Sequence, residues 1–172
     1  DSTFQSRLAT LSGHRKTALE AFLAVGWPTT NDEEFRFTPL RALQELQISE
    51  ARQTEISLRE LEALVGFKLT GHRCVFVDSR FSEELSQVPQ SASVHFSLEQ
   101  PDSGYDSIAT YHGKLGTTND DRFVNLNAAL CSEIATLKID SKTEVEEPIH
   151  FIFLSMSKES TDSHTRIQIK LG

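Results

Sequence analysis

The sequence predicts an α+β fold, because helical patterns fill its first third and strand patterns dominate the rest. In the first 70 residues apolar side chains recur at intervals of three and four, the spacing of an amphipathic helix. After Gly71 they form short continuous or alternating runs, which are typical of strands. We therefore divide the chain into an N-terminal helical region, residues 1–70, and a mixed strand and helix region, residues 71–172.

The first helix is predicted over residues 4–25, where six apolar side chains fall near one face. Gly26 supplies a C-terminal stop, and Pro28 prevents the helix from continuing. The predicted buried face consists of Phe4, Leu8, Leu11, Ala18, Phe22 and Val25.

Two further helices are predicted before residue 70. The hydroxyl of Thr38 can cap a helix, and Pro39 suits the first helical position because its missing N–H is not needed there. Ser57 and Glu60 have the spacing of a capping box, and Gly66 closes the helix that follows. The apolar stripe of the first of these two helices is Leu40, Leu43 and Leu46, and that of the second is Leu58, Leu61, Leu64 and Val65.

The second region contains several strand candidates and one helix. Residues 74–77 form a continuous apolar run, as expected of a strand covered on both faces. Residues 121–133 carry a helical pattern. Further strands are predicted at residues 93–98, 135–139, 149–154 and 165–171.

Charge and composition exclude several classes of partner. The net charge is −8 and the sequence has no cluster of Lys and Arg, which argues against nucleic acid and against an anionic membrane surface. No apolar run approaches the roughly 20 residues that span a bilayer. The two cysteines lie far apart, which suits free thiols in a reducing compartment such as the cytoplasm or a plastid stroma.

No catalytic, cofactor-binding or metal-binding residue is predicted. His72 and Cys74 would lie on the same side of a strand, but a zinc site needs about four ligands, and the others would have to come from distant residues such as His95. Cys131 lies in a helical apolar segment, without the helix N-terminus or cationic neighbour that lowers the pKa of a thiol. Cys74 is read as a buried cysteine that acts as a small hydrophobic residue. A Cys/His hydrolase whose residues come together only in the folded chain stays open as an alternative.

An acidic, aromatic and basic cluster occupies residues 32–37. Carboxylates are favoured at a helix start, Arg36 can pair with Glu33 or another carboxylate, and Phe35 and Phe37 can pin the segment onto the first helix. These structural roles account for every residue type in the cluster. A contact surface for a partner protein is the alternative, and its candidate residues are Glu34, Arg36 and Phe37.

Four short segments, taken in order along the chain, carry a likeness to a known family. They are a turn and helix start at residues 26–40, a strand with the sequence VFVDSRF at residues 75–81, an Asn-bearing helix at residues 123–129, and residues 147–150. Together they resemble the N-terminal region of SufD, in the SufB/SufD family of iron–sulfur cluster assembly scaffold proteins. Phe35, Phe37 and Ser79 stand where that family has Trp, Tyr and Gly. The last difference argues against a left-handed backbone at Ser79.

The resemblance implies a chain that leads into the start of a right-handed parallel β-helix. It also implies a SufB-like paralogue and a SufC-like ATPase as partners in the intact complex, which handles the iron–sulfur cluster. The positions associated with cluster assembly lie further along in that family, so no residue of this chain inherits such a role. The role expected of this N-terminal fragment is structural, covering the start of the β-helix, with partner docking as an addition.

Two alternatives remain beside the scaffold hypothesis. A stand-alone α+β protein-interaction module would show the same helices and strands. A homodimer of the fragment would follow if the strand predicted at residues 165–171 presents an uncovered edge.

Overall fold

The computed structural model describes residues 2–46, 48–101 and 122–172. They form two compact units, each assembled from separate parts of the chain. The helical unit contains the segments before Glu50, the helix that starts at Arg122, and Glu159–Asp162. The sheet unit contains Glu50–Gln100, Ser132–Lys158 and Ser163–Gly172. The division into regions 1–70 and 71–172 stays a prediction.

The helical unit is built on three helices: α1 (Ser2–Leu8), α2 (Gly13–Val25) and α5 (Arg122–Leu130). Its core holds Phe4, Leu19 and Phe22, packed with Leu126 and Ala129 of α5. Aromatic rings continue this core edge to face, with 5.7 Å between the centroids of Phe4 and Phe22 and 5.4 Å between those of Phe22 and Trp27.

The single helix predicted over residues 4–25 is wrong, because the chain breaks between α1 and α2. The Arg7 carbonyl accepts hydrogen bonds from the Thr10 N–H (3.0 Å) and the Thr10 hydroxyl (2.8 Å), although a continuing helix would offer it to Leu11. Gly13 then starts α2 with a φ of 52°. Val25 was also misplaced, since it is 66% exposed at the end of α2.

The short helix α3 (Arg41–Gln44) begins later than predicted. The Thr38 N–H donates to the Phe35 carbonyl at 2.9 Å, which closes a turn instead of starting a helix. Leu40 takes the capping position without a side-chain bond, and Leu46 is exposed. The predicted cap at Thr38 and Pro39 is therefore wrong, and the Leu40–Leu43–Leu46 stripe is not buried.

Helix α4 (Leu58–Val65) confirms the predicted capping box. The Ser57 N–H donates to the Glu60 carboxylate at 2.8 Å, and the Glu60 N–H donates to the Ser57 hydroxyl at 3.3 Å. Hydrogen bonds from Ser57 lower the pKa of Glu60 below its usual value. Gly66 ends the helix in the left-handed conformation, with a φ of 76°. Only Leu61 of its predicted apolar face is fully buried.

Two three-stranded sheets form the sheet unit. In the first, β2 (His72–Val77) lies between β3 (Arg80–Phe81) and β6 (Ile149–Leu154). In the second, β5 (Ile134–Ile139) lies between β4 (Val94–Glu99) and β8 (Arg166–Leu171). The pairs β2–β6 and β5–β8 are parallel, and β2–β3 and β4–β5 are antiparallel. The strands predicted at residues 74–77, 93–98, 135–139, 149–154 and 165–171 are thus confirmed, with small shifts at their ends.

Strand β2 is covered on both faces, as its apolar run predicts. On one face Val75 and Val77 pack with Leu61 of α4. On the other, Cys74 and Phe76 pack with Ala135 of β5. The sheet unit therefore has helix, sheet and sheet as successive layers, which confirms the α+β class.

A two-residue turn joins β2 to β3. Its residues, Asp78 and Ser79, both have positive φ, of 50° and 71°, as the turns that match the twist of a tight hairpin require. The expectation that Ser79 avoids the left-handed region is therefore wrong. The buried Asp78 carboxylate fixes the turn by accepting the N–H groups of Met156 (2.8 Å) and Ser157 (3.3 Å).

The polar stretch at residues 157–163 contains β7 (Thr161–Asp162), where Asp162 forms an ion pair with Arg7 of α1. Strand β1 (Ser49–Glu50) begins with the Ser49 N–H donating to the Ser160 carbonyl at 3.1 Å. Among the described residues, no helix is long and apolar enough to cross a bilayer.

Candidate functional site

The predicted contact residues lie together on the surface of the helical unit. We call residues 33–37 the contact segment. It begins with a 3-10 turn, Glu33–Phe35, and Glu34, Arg36 and Phe37 are all exposed. Phe37 is 89% exposed, the highest value among the large apolar side chains that the structure describes. The structure thus brings these three residues to one exposed loop, while their role in binding stays a prediction.

Arg36 lies against Phe37 and is not paired with Glu33. Its guanidinium carbon lies 5.6 Å from the centroid of the Phe37 ring, within the range of a cation–π contact. The segment therefore presents an aromatic ring and a positive charge side by side.

Asp32 anchors the start of the contact segment. Its carboxylate accepts a hydrogen bond from Arg122 Nη2 at 2.8 Å, and from the Thr29 N–H at 2.7 Å. The Arg122 side chain is 9% exposed, so the pair lies largely out of water on its basic side. The hydrogen bond from Arg122, with that of the Thr29 N–H, lowers the pKa of Asp32 to about 2.

Phe35 anchors the middle of the contact segment. Its ring centroid lies 5.8 Å from that of Phe123, which in turn lies 5.9 Å from Trp27. The prediction that Phe35 and Phe37 both pin the segment onto the first helix is wrong. Phe35 packs on α5, and Phe37 points to solvent.

Sequence reasoning missed Arg122 and Phe123 as supports for this segment. Arg122 lies 90 residues beyond Asp32, Phe123 follows it, and neither carries a local signal of the contact. The helical pattern at residues 121–133 predicted α5, but a pattern within one helix does not specify the loop that packs against it.

The residues considered for chemistry lie elsewhere. Cys74 and Cys131 are buried and are not joined in a disulfide, and burial raises the pKa of Cys74 to about 11, which disfavours the reactive thiolate. His72 precedes Cys74 on β2, and His95 lies exposed on β4. Within the described residues, no three His, Cys, Asp or Glu side chains are grouped closely enough to hold a metal ion.

A second surface of interest is the outer edge of each sheet. In the described structure β6 and β8 each pair with a neighbour on one side only. In the first sheet the register places Phe153 on the same face as Phe76. In the second it places Ile169 and Leu171 on the same face as Ala135. Both faces point into the core that the two sheets share. These three side chains are nevertheless 55%, 52% and 74% exposed. The core between the sheets is thus incompletely covered at the outer edges that β6 and β8 form.

Comparison with known proteins identifies the family. The pattern of the SufBD protein N-terminal region matches residues 1–151. The chain belongs to the SufBD family. A relative, the iron–sulfur cluster assembly SufBD family protein slr0076 of Synechocystis, is 26% identical over 149 residues. The match covers 85% of this chain and 33% of the relative, so this SufBD chain spans about a third of that protein's length.

Membership confirms the resemblance to the SufB/SufD family that the sequence motifs indicated. The matched range of this SufBD chain includes the contact segment, α5, both central strands and most of the chain up to β6. The contacts described for the site residues are those of this chain, and no role is transferred from the relative.

Proposed function

We propose that the chain is the N-terminal part of a SufD-like scaffold subunit of a SufBCD iron–sulfur cluster assembly complex. Its role is structural and includes partner docking, with no chemistry of its own. The family match and the name of the cyanobacterial relative support a place in cluster assembly. The high pKa of Cys74 and the burial of both thiols are consistent with a structural chain.

The parallel pairing of the strands carries this proposal. Along the chain, β2 is followed by β5, and then β6 and β8 follow in the same order. Strand β6 lies parallel to β2, and β8 lies parallel to β5, each over six residues. A chain that passes twice along the same two sheets has the stacking of successive coils in a β-helix. We propose that these strands are its first two coils.

The rings of Phe76 and Phe153 support that assignment. They lie on neighbouring parallel strands with centroids 5.5 Å apart and planes inclined by 15°, as stacked rings. A third coil would place a further side chain over Phe153. The helix α4 covers the opposite face of β2 through Leu61, which fits a structural role at the start of the stack.

The partners follow from the same proposal. A SufB-like paralogue and a SufC-like ATPase would join the intact complex, and the contact segment is our candidate for docking. The iron–sulfur cluster would be handled by that complex, and no residue of this chain is assigned to it. Two buried cysteines that are not joined in a disulfide fit a reducing compartment such as the cytoplasm or a plastid stroma.

Amide hydrogen exchange tests the β-helix assignment. The chain is compared with the complete product of its gene, at equal concentration, and exchange is followed along β6 and β8. We expect amides on the outer sides of both strands to become strongly protected in the complete protein, because a third coil would pair with them. Unchanged exchange at both edges would contradict the proposal.

The stand-alone interaction module predicts a different result. Its edges at β6 and β8 would exchange equally in both samples, and its partner would be unrelated to cluster assembly. A homodimer paired through β8 would protect that edge in a concentration-dependent manner in the short chain. Repeating the exchange at tenfold dilution separates this outcome from the other two.

A further inference from the structure

We infer that Asp32 and Arg122 are positioning residues that hold the contact segment in its binding conformation, and that the partner meets it with an apolar pocket bordered by a carboxylate. This inference rests on the docking role proposed above. It adds a preformed geometry, two residues that maintain it, and the chemistry of the surface that it fits.

The Asp32–Arg122 pair is a clamp with two contacts. Arg122 Nη2 lies 2.8 Å from Asp32 Oδ1, and Nη1 lies 3.5 Å from Oδ2. A guanidinium that meets a carboxylate with both nitrogens restricts orientation as well as distance. Because the Arg122 side chain is largely buried, this restraint acts on the loop from a fixed point in α5.

The clamp is extended by the next residue of α5. Phe123 follows Arg122, and its ring packs against Phe35. Arg122 and Phe123, which are neighbours in one helix, therefore hold Asp32 and Phe35, which lie three residues apart in the loop. The Asp32 carboxylate also accepts the N–H of Thr29 and thereby fixes the turn that leads into the segment.

Backbone hydrogen bonds transmit this restraint to Phe37. The Phe35 N–H donates to the Asp32 carbonyl at 3.0 Å, and the Thr38 N–H donates to the Phe35 carbonyl at 2.9 Å. These turns enclose Arg36 and Phe37 between two bonded positions. An exposed ring on such a loop needs little further ordering when it binds, and lower ordering cost favours affinity.

The exposed side chains define the partner. Phe37 offers a ring with almost its whole surface free for an apolar pocket, the usual setting of an interface anchor. The guanidinium of Arg36, which lies beside the ring, would pair with a carboxylate at the rim of that pocket. The exposed carboxylates of Glu33 and Glu34 disfavour an anionic lipid surface, so a protein partner fits the charges better.

The test measures binding of variants of the chain to a SufB-like paralogue and to a SufC-like ATPase, each purified separately. Phe37→Ala removes the anchor, whereas Asp32→Asn and Arg122→Gln weaken the clamp and leave the anchor in place. Glu33→Gln is the control, because it removes one negative charge next to Asp32 without touching the clamp. Thermal unfolding confirms that each variant is folded.

We expect Phe37→Ala to weaken binding by at least about tenfold. Asp32→Asn and Arg122→Gln should each weaken it severalfold, because only a fraction of molecules would then hold the competent conformation. In the free chain, the same two variants should speed amide exchange at residues 35–38. Glu33→Gln should leave both binding and exchange within twofold of the unaltered chain.

Three results would overturn parts of the account, and they are distinguishable. If neither protein binds the unaltered chain, or if Phe37→Ala binds normally, the docking role of the segment is wrong. If only Phe37→Ala weakens binding, the docking role stands and the clamp is wrong. If the clamp variants leave exchange at residues 35–38 unchanged, Asp32 and Arg122 do not position the segment.

Discussion

The helical unit and the sheet unit complete their cores in different ways. In the helical unit Phe4, Leu19 and Phe22 are almost fully buried, and Trp27 and Phe123 extend the same aromatic cluster. In the sheet unit Phe76 is buried, but Phe153, which stacks on it from the next strand, is half exposed. Among the described residues, the central side chains of the first core are covered by their neighbours, whereas the second core is open along one edge.

This difference indicates which of the two units further strands could extend. An uncovered strand edge with inward-facing apolar residues is a site where further strands can pair. The covered centre of the helical core offers no such site, and Phe37, the most exposed large apolar side chain among the described residues, lies on the contact segment. The sheet unit is therefore the part that we assign to the β-helix, and the helical unit is the part that we assign to docking.

The largest expected effect is the loss of a side chain from the closed core. Phe22→Ala should reduce the free energy of unfolding by about 3–5 kcal/mol, because a fully buried phenylalanine leaves a cavity. Val25→Ala, three residues along the same helix and 66% exposed, is the control and should cost less than about 1 kcal/mol. Urea unfolding measures both. Equal costs would mean that the core is not closed around Phe22.

The second prediction compares the two stacked rings of the sheet unit. Phe76→Ala should cost about 3–5 kcal/mol, and Phe153→Ala should cost about 1 kcal/mol or less, because the second ring is still partly in water. The measurement is urea unfolding of the chain, monitored by circular dichroism. A cost for Phe153→Ala as large as that for Phe76→Ala would show that this edge is already covered.

A smaller effect is expected at the β2–β3 turn. Ser79→Gly should stabilise the chain by about 0.5–1 kcal/mol. Relief of a left-handed residue contributes about 1–2 kcal/mol, and the greater freedom of glycine in the unfolded state offsets part of it. Ser155→Gly, at an exposed position after β6, should destabilise slightly and serves as the control. Thermal unfolding that shows a lower Tm for Ser79→Gly would contradict the role of the turn.

The smallest effect at neutral pH concerns the Asp32–Arg122 pair. The pKa of Asp32 is lowered from 3.8 to about 2 in the folded chain, so its contribution to stability is complete above pH 3.8. That contribution is lost as the pH falls through about 2. We expect Asp32→Asn to reduce the difference in Tm between pH 5 and pH 2. An unchanged difference would mean that the pair does not stabilise the fold.

Local signals in the sequence predicted most of the elements. The apolar run at residues 74–77 predicted the buried part of β2, and the spacing of Ser57 and Glu60 predicted the cap of α4. Both signals depend on neighbouring residues, which is why they can be recognised without the fold. The capping prediction failed at Thr38 because this residue closes a turn with Phe35, and the helix begins only at Arg41.

Long-range features could not be predicted in the same way. The parallel register of β2 and β6 joins residues 77 positions apart, as in the pairing of His72 with Ile149. Nothing in either segment specifies that partner, because each reads only as an apolar strand. The Asp32–Arg122 pair is a similar case, and it determines how the contact segment is held.

Deletion of residues 1–69 from the complete gene product tests the central claim of a structural role most directly. The deletion removes α4 and uncovers Val75 and Val77 of β2. We expect soluble yield and unfolding temperature to fall sharply, while cluster transfer per folded molecule changes much less. Normal stability together with lost cluster transfer would contradict the structural role and would place chemistry in this part of the chain.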